Sequence, residues 1–145
     1  MVKKHSWAPR LSEELKDYPK NSPLYLSVEP NNEKTVLDAT AGFGVDAFAL
    51  ASAGMKVTLV ERSPIIHKML SQALYAARKT TNEQLKQIVD RIFLLPCTDA
   101  KTIFSQLKYD ENAESLRYDV ILLDPMNYSK GNTLPLGKLI NNPPP

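Results

Sequence analysis

The sequence is poor in the residue types that most often mark nucleophilic or metal chemistry. It has one cysteine, Cys97, and two histidines among 145 residues, so an internal disulfide is excluded. A chain without disulfides fits the cytoplasm, which is the predicted compartment. The histidines and the cysteine are scattered, so neither a Ser-His-Asp or Cys-His set nor a metal site is expected. We interpret Cys97 as a small packing residue.

The sequence also lacks a strong charge and a long apolar run. Its formal net charge is only +2, whereas nucleic-acid binding usually shows as a strongly basic patch. No segment approaches the length of a membrane span, and the N-terminus has no apolar signal-peptide core. With 43% hydrophobic residues, the chain is predicted to form one soluble globular domain.

What the sequence does contain is a nucleotide-binding pattern over residues 35–64. An apolar strand that ends in Asp38 leads into a glycine turn, an alanine-rich helix and a second strand that ends in Glu61. Gly42 and Gly44 allow the backbone to approach a ligand at the N-terminus of the helix. Glu61 is placed to accept both hydrogen bonds of a ribose diol. The pattern predicts an adenosine-type ligand.

Two ligand classes fit this loop. The two glycines and Ala47 also satisfy the dinucleotide fingerprint G-x-G-x-x-G/A, so an NAD(P)-binding oxidoreductase is an alternative, as is a plain tight turn. A third acid, Asp124, ends a later apolar strand, and together with Asp38 and Glu61 it would repel two phosphates. The three acids favour S-adenosylmethionine (SAM), whose amine and sulfonium are cationic.

Four segments of the chain carry a family resemblance: residues 38–48, 50–54, 61–64 and 123–126. They are similar to the bacterial enzymes that methylate a guanine N2 in small-subunit (16S) ribosomal RNA, which are class I SAM-dependent methyltransferases. The resemblance implies that the substrate is ribosomal RNA or the small ribosomal subunit. Val45 departs from it, because the family usually has arginine there.

The resemblance also implies a set of site residues. The cofactor would contact Val45, Asp46, Glu61, Arg62, Thr98, Asp99 and Asp124, in addition to Asp38, Gly42 and Gly44 from the loop pattern. Asp46 is equally compatible with a helix-start acid, and Asp99 with a helix cap. A guanine amine becomes reactive only if acceptors hold its hydrogens, and the candidate catalytic acceptors are Asp124 and the Pro125 carbonyl.

The fold implied by the resemblance is a Rossmann-like, three-layer α/β sandwich with a parallel sheet. Only the first four strands of the class are found here, in the order 3-2-1-4. We expect an N-terminal arm over residues 1–34, a SAM-binding domain over 35–130 and an irregular tail over 131–145.

The fourth strand is predicted to be an edge of the sheet although residues 120–123 are apolar on both faces. We therefore expect self-association through this edge, or poor solubility. A base-stacking wall is missing because Asn127 and Tyr128 replace the family's Phe-Pro, so we expect a truncated relative with weak activity. A non-catalytic SAM-binding remnant or partner subunit is the remaining alternative.

Local signals place the other elements. Ser63 is predicted to cap a helix that begins at Pro64 and has an apolar stripe, namely Ile66, Met69, Leu70, Ala73, Leu74 and Ala77. Thr80 with Glu83 forms a predicted capping box for the next helix. The helix after Asp99 is predicted to have an inward apolar face, namely Ala100, Ile103, Phe104 and Leu107. His67 is expected to be solvated. Residues 108–117 are predicted to form a charged loop.

Overall fold

The computed structural model describes residues 22–31, 34–109 and 118–125. Its elements in chain order are α1 Pro23–Val28, β1 Thr35–Asp38, α2 Val45–Ser52, β2 Lys56–Leu59, α3 Pro64–Arg78, α4 Glu83–Val89, β3 Ile92–Leu94, α5 Ala100–Tyr109 and β4 Val120–Leu122. The strands form one parallel sheet in the order β3-β2-β1-β4, which confirms the predicted Rossmann-like order.

The strand order places a switch point between β1 and β4. The chain moves outward from β1 to β2 and β3, and then crosses back to β4 on the other side of β1. Right-handed crossovers then place the helices that follow β1 and β2 on one face and α5 on the other. Ligands of such sheets bind at the carboxyl ends of the strands next to this point.

The core explains why β1 and β2 are central. Strands covered on both faces read as apolar runs, and Val36, Leu37, Val57 and Leu59 are all fully buried. The α2 helix packs closely because its alanines leave room, and Ala47 and Ala51 have no exposed surface. None of the helices in the described ranges combines the length and the apolar character needed to cross a membrane.

The start of α3 is as predicted. Ser63 adopts an extended backbone as the N-cap and its hydroxyl accepts a bond from the Ile66 N–H, while Pro64 is the first helical residue. The apolar stripe of α3 is buried at Ile66, Leu70, Leu74 and Ala77. Met69, which the periodicity assigns to the stripe, is 51% exposed.

The predicted capping box of α4 is wrong. The helix begins at Glu83, and Asn82 is its N-cap, with Oδ1 accepting from the Leu85 N–H at 3.0 Å. Glu83 is therefore the first helical residue instead of the third, so it cannot close a box with Thr80. Asparagine is as good an N-cap as threonine, and its position decided where the helix starts.

Three smaller predictions also need correction. His67 is not simply solvated, because its Nε2 lies 2.8 Å from the Leu95 carbonyl oxygen. Cys97 is exposed and does not pack in the core. The α5 helix continues to Tyr109, so the first two residues of the predicted loop are helical, and the rest of that loop lies outside the described residues.

The segment predicted as an arm contributes to the core at its C-terminal end. Ser22 caps α1, and Val28 is 3% exposed within the core cluster. The Lys34 ammonium donates to the Val28 carbonyl at 2.9 Å. The domain boundaries at residues 34 and 130 stay a prediction, and residues 131–145 lie outside the described part.

The β4 strand is aligned on β1 by a pair of residues at their amino ends. The Asp119 carboxylate accepts from the Thr35 N–H at 2.7 Å and from its hydroxyl at 3.0 Å. These bonds hold the pKa of Asp119 below its usual value. Among the described residues, β4 pairs with β1 alone, and Ile121 is 49% exposed.

Candidate functional site

The candidate site is a cavity at the carboxyl ends of the strands, beside the switch point. Its volume is about 350 Å³. Its lining residues come from the ends of β1, β2 and β4 and from the starts of α3 and α5, namely Ala39, Thr40, Val60, Glu61, Arg62, Ser63, Ile66, Asp99, Ala100, Lys101, Phe104, Leu123 and Pro125. A cavity of this size is in the usual range for small-molecule sites.

The glycine loop adopts a backbone that glycine alone accommodates easily. Gly42 has φ 53° and Gly44 has φ 76°, both in the left-handed region. A Cβ at Gly44 would lie 3.0 Å from Leu70 Cδ1, so a side chain there would need the tip of Leu70 to shift in addition to the strained φ. Gly44 is the N-cap of α2 and provides no side-chain cap. The N-cap position therefore provides no side-chain acceptor for the first amides of α2.

Glu61 locks this loop to the end of β2. Its Oε2 accepts from the Gly42 N–H at 2.9 Å, and its Oε1 accepts from the Ser63 N–H at 2.6 Å. Glu61 is 7% exposed and lines the cavity. Each carboxylate oxygen has a second lone pair, so these bonds leave acceptor capacity for a ribose diol. Glu61 therefore shapes the loop as well as facing the cavity.

The loop after β3 is attached to the same strand end. The Thr98 N–H donates to the Glu61 carbonyl at 3.2 Å. Asp99 lines the cavity and its Oδ1 accepts from the Lys101 N–H at 2.8 Å, so it caps the first turn of α5. The helix-cap interpretation of Asp99 is thus confirmed, and its cofactor role stays a prediction. Arg62 is exposed at the rim of the cavity.

A buried acid lies at the end of β1. Asp38 is 2% exposed, and its Oδ1 accepts from the Thr40 N–H at 3.1 Å. Burial raises its pKa to about 7, the Thr40 bond opposes that rise, and the charges of Asp46, Asp124 and Glu61 add to it. Burial followed by the Asp124 charge also raises the pKa of Asp46. This arrangement favours a cationic ligand, which would relieve the repulsion.

The buried acid predicts a pH dependence of stability. Between its ordinary pKa of 3.8 and about 7, Asp38 keeps in the folded protein a proton that the unfolded chain releases. The free energy of unfolding should therefore fall as pH rises through this window. At about 1.4 kcal/mol per pKa unit, the total is on the order of 4 kcal/mol.

Urea unfolding between pH 4 and 8 measures this effect. We expect Asp38→Asn to flatten the decline, and Asp90→Asn, a change of the same kind at the exposed C-cap of α4, to leave it as in the wild type. An unaltered decline in Asp38→Asn would show that other groups cause it.

Asp124 and Pro125 follow β4 and complete the site. The Asp124 N–H donates to Thr40 Oγ1 at 2.8 Å, and Pro125 lines the cavity. Both residues are exposed. Asp124 is close enough to raise the pKa values of Asp38 and Asp46. The three strand-end acids predicted from sequence therefore converge on one place.

These features agree with the comparisons to known proteins. A family model described as "Putative SAM-dependent methyltransferase" matches residues 14–135. The chain belongs to this family. The name of the family identifies SAM as its cofactor, which favours the SAM interpretation of the glycine loop over the dinucleotide one.

Relatives of the chain are similar over a shared part. The ribosomal RNA small subunit methyltransferase J of Hydrogenovibrio crunogenus is 40% identical over 79% of this chain and 39% of its own length. The protein of the same name from Rhodopseudomonas palustris is 42% identical over 73% of this chain and 47% of its own length. The chain thus spans less than half the length of these curated relatives.

A solved structure resembles the fold. A SAM-dependent methyltransferase from Neisseria gonorrhoeae has a TM-score of 0.65 and 29% identity, over 80% of this chain and 46% of that chain. The similarity supports the assignment of the four-stranded sheet to the Rossmann-like methyltransferase architecture.

The structure brings together some of the predicted site residues and separates others. Glu61, Arg62, Asp99 and Pro125 line the cavity. The remaining candidates are not among the lining residues, namely Asp38, Gly42, Gly44, Val45, Asp46, Thr98 and Asp124. Val45 is 46% exposed at the first position of α2. Glu61 lines the cavity and also accepts from the Gly42 N–H, so the glycine loop and the cavity adjoin at this residue.

Sequence reasoning missed several residues of the cavity. Thr40, Lys101 and Leu123 were not singled out, and Ile66 and Phe104 were predicted only as apolar faces of their helices. The apolar pair is the signal that could have been used, since Ile66 and Phe104 are the third and fifth residues of helices that start at the sheet's carboxyl edge. Hydrophobic and aromatic side chains are the predominant lining of small-molecule pockets.

Proposed function

We propose that this chain binds SAM and transfers its methyl group to a guanine N2 of small-subunit ribosomal RNA. The observation that carries the proposal is the convergence of Asp38, Glu61 and Asp124 on a glycine loop beside one cavity. Such a site has negative charge for a cationic cofactor and would disfavour the pyrophosphate of a dinucleotide.

The residues present fit this cofactor. Asp38 is a buried acid, and no cation is among the groups that shift its pKa. An amine or sulfonium nearby would therefore stabilise its ionised form. Glu61 and Asp99 supply acceptors at the cavity, and Ile66 and Phe104 supply apolar surface. We assign Glu61 to the ribose, Asp99 to the adenine amino group, and the Asp38 end with Gly42, Gly44 and Asp46 to the amino-acid part.

The chemistry requires little beyond positioning and acceptors. When bound, the cofactor supplies an electrophilic methyl group on sulfur. Asp124 and the Pro125 carbonyl are proposed to accept hydrogen bonds from the guanine amine, so that the nitrogen becomes pyramidal and its lone pair is no longer delocalised into the ring. Positioning two reactants in this way lowers the activation free energy by several kcal/mol.

The substrate class rests on the named relatives. Proteins 40% and 42% identical to the chain are named ribosomal RNA small subunit methyltransferases. A ribosomal substrate would place the reaction in the cytoplasm. We accordingly propose the small ribosomal subunit as the partner.

Two assays test the proposal. Calorimetry with SAM, S-adenosylhomocysteine and NADH should show binding of the first two alone. Radiolabelled methyl transfer to small subunits from a strain that lacks the modification should then label the RNA. SAM binding without transfer would select the non-catalytic alternative, and NADH binding would select the oxidoreductase.

We also propose that β4 mediates self-association. Among the described residues β4 has one partner strand, and Ile121 and Leu123 are 49% and 59% exposed. Two copies of the same apolar edge can pair about a two-fold axis, so a second copy is the occupant we expect.

Light scattering at micromolar concentration measures the assembly. We expect the wild type to be at least dimeric and Ile121→Lys to be shifted to monomer, because a charge on an edge strand opposes pairing. Ile65→Lys is the control, since Ile65 is equally apolar and 74% exposed on α3. A monomeric wild type would contradict the proposal.

A further inference from the structure

Thr40 is hydrogen-bonded to the acid that ends β1 and to the acid that follows β4. Its backbone N–H donates to Asp38 Oδ1 at 3.1 Å, and its Oγ1 accepts from the Asp124 N–H at 2.8 Å. Thr40 also lines the cavity. One residue therefore contacts the buried acid of β1, the backbone of the acid that follows β4, and the space between the strand ends.

The hydroxyl acts where the backbone ladder has ended. The last ladder bond between these strands runs from the Ala39 N–H to the Leu122 carbonyl at 3.0 Å, and β4 ends at Leu122. Pro125 has no N–H, so the Asp124 N–H is the final backbone donor of the described segment 118–125. The Thr40 hydroxyl accepts that donor and thus holds the chain as it leaves the sheet.

The choice of residue suits this role. Threonine is β-branched, so its side chain has few rotamers and keeps its hydroxyl in one direction. Its methyl group can remain against the apolar surroundings while the oxygen accepts a bond. Valine has the same shape without the acceptor, and serine has the acceptor with a less restricted side chain.

We propose that Thr40 is a positioning residue for methyl transfer, whose hydroxyl fixes Asp124 and Pro125 beside the cavity. The inference rests on the proposed function, because it assigns to Thr40 the placement of the acceptors for the amine. Its physical part, the bond to the Asp124 amide, can be measured without any methyl acceptor.

The test compares Thr40→Val, Thr40→Ser and the control Thr58→Val, which makes the same change within β2 and outside the cavity lining. Amide hydrogen exchange followed by NMR should show faster exchange at Asp124 in Thr40→Val alone. The kcat of Thr40→Val should fall by about 10- to 100-fold, since displacement by an ångström can cost on the order of 10². The Kd for SAM should change far less than kcat.

Thr40→Ser should recover most of the lost kcat, and Thr58→Val should match the wild type in every measurement. An unchanged exchange rate of the Asp124 amide in Thr40→Val would overturn the proposal. A Kd for SAM that rises in parallel with the loss of kcat would also overturn it, because a general structural defect impairs both. A wild type that transfers no methyl group would count against the proposed function, and the exchange data would still decide whether Thr40 holds Asp124.

Discussion

Replacing Glu61 with alanine should weaken SAM binding by about 10²-fold, because the variant loses one or two bonds from the ribose diol at about 1.5–3 kcal/mol each, and should also lower the stability of the protein. The variant loses two bonds to a carboxylate, from the Gly42 N–H at 2.9 Å and the Ser63 N–H at 2.6 Å. Bonds to a charged group contribute about 1.5–3 kcal/mol each, and a buried N–H without a partner costs about 1–3 kcal/mol. The Gly42 bond is buried, so its loss should distort the glycine loop.

Calorimetric titration with SAM and thermal unfolding together measure this prediction. Glu61→Gln keeps one acceptor oxygen and should show a smaller loss than Glu61→Ala in both. Glu83→Ala, which removes an exposed acid at the start of α4, is the matched control and should bind SAM as the wild type does. Unchanged SAM affinity in Glu61→Ala would refute the assignment of the ribose site.

The parts of the fold that the sequence predicted correctly depend on local patterns with strong physical causes. β1 and β2 could be found because their buried residues are apolar and an acid marks where each ends, although β2 ends at Leu59 and not, as predicted, at Glu61. The glycine turn between them has φ values that few other residues adopt. The sheet order followed from the family resemblance, not from periodicity. The start of α3 was predictable because Ser63 and Pro64 are adjacent and favour the same helix boundary.

The failures have two physical reasons, which are competition between neighbouring cap residues and bonds between residues that are distant in sequence. Thr80 and Asn82 are both good caps, and only the three-dimensional structure shows that Asn82 is used. The bonds from Thr40 to Asp124, from Glu61 to Gly42 and from His67 to Leu95 join residues that are distant in sequence. A pattern along one chain does not show which backbone group a side chain will reach.

The same limit applies to the site. Sequence placed the three acids at strand ends, which was enough to predict that they would converge. It did not show that Asp38 is 2% exposed or that the Glu61 carboxylate accepts bonds from the Gly42 and Ser63 N–H groups. Burial and backbone bonds thus distinguish acids that sequence treated alike: Asp38 and Glu61 are part of the framework, whereas Asp124 is exposed.

That difference predicts a separation of roles at Asp124. Asp124→Asn should lower methyl transfer by about 10²- to 10³-fold, because a neutral amide is a weaker acceptor for the guanine amine in the transition state. Its backbone N–H still donates to Thr40, so the position of the residue is kept. Loss of its charge should also lower the pKa values of Asp38 and Asp46, which favours their ionised forms and opposes any loss of SAM affinity.

Single-turnover transfer and a SAM titration on the same preparation separate the two effects. We expect the Kd for SAM to change by less than about threefold. The fall in rate is much larger, and each tenfold fall corresponds to a loss of about 1.4 kcal/mol of transition-state stabilisation. Asp119→Asn is the control at the other end of β4, where the carboxylate binds Thr35, and it should affect stability more than transfer. Equal losses of affinity and rate in Asp124→Asn would make Asp124 a cofactor ligand alone, and the acceptor for the amine would then have to be the Pro125 carbonyl.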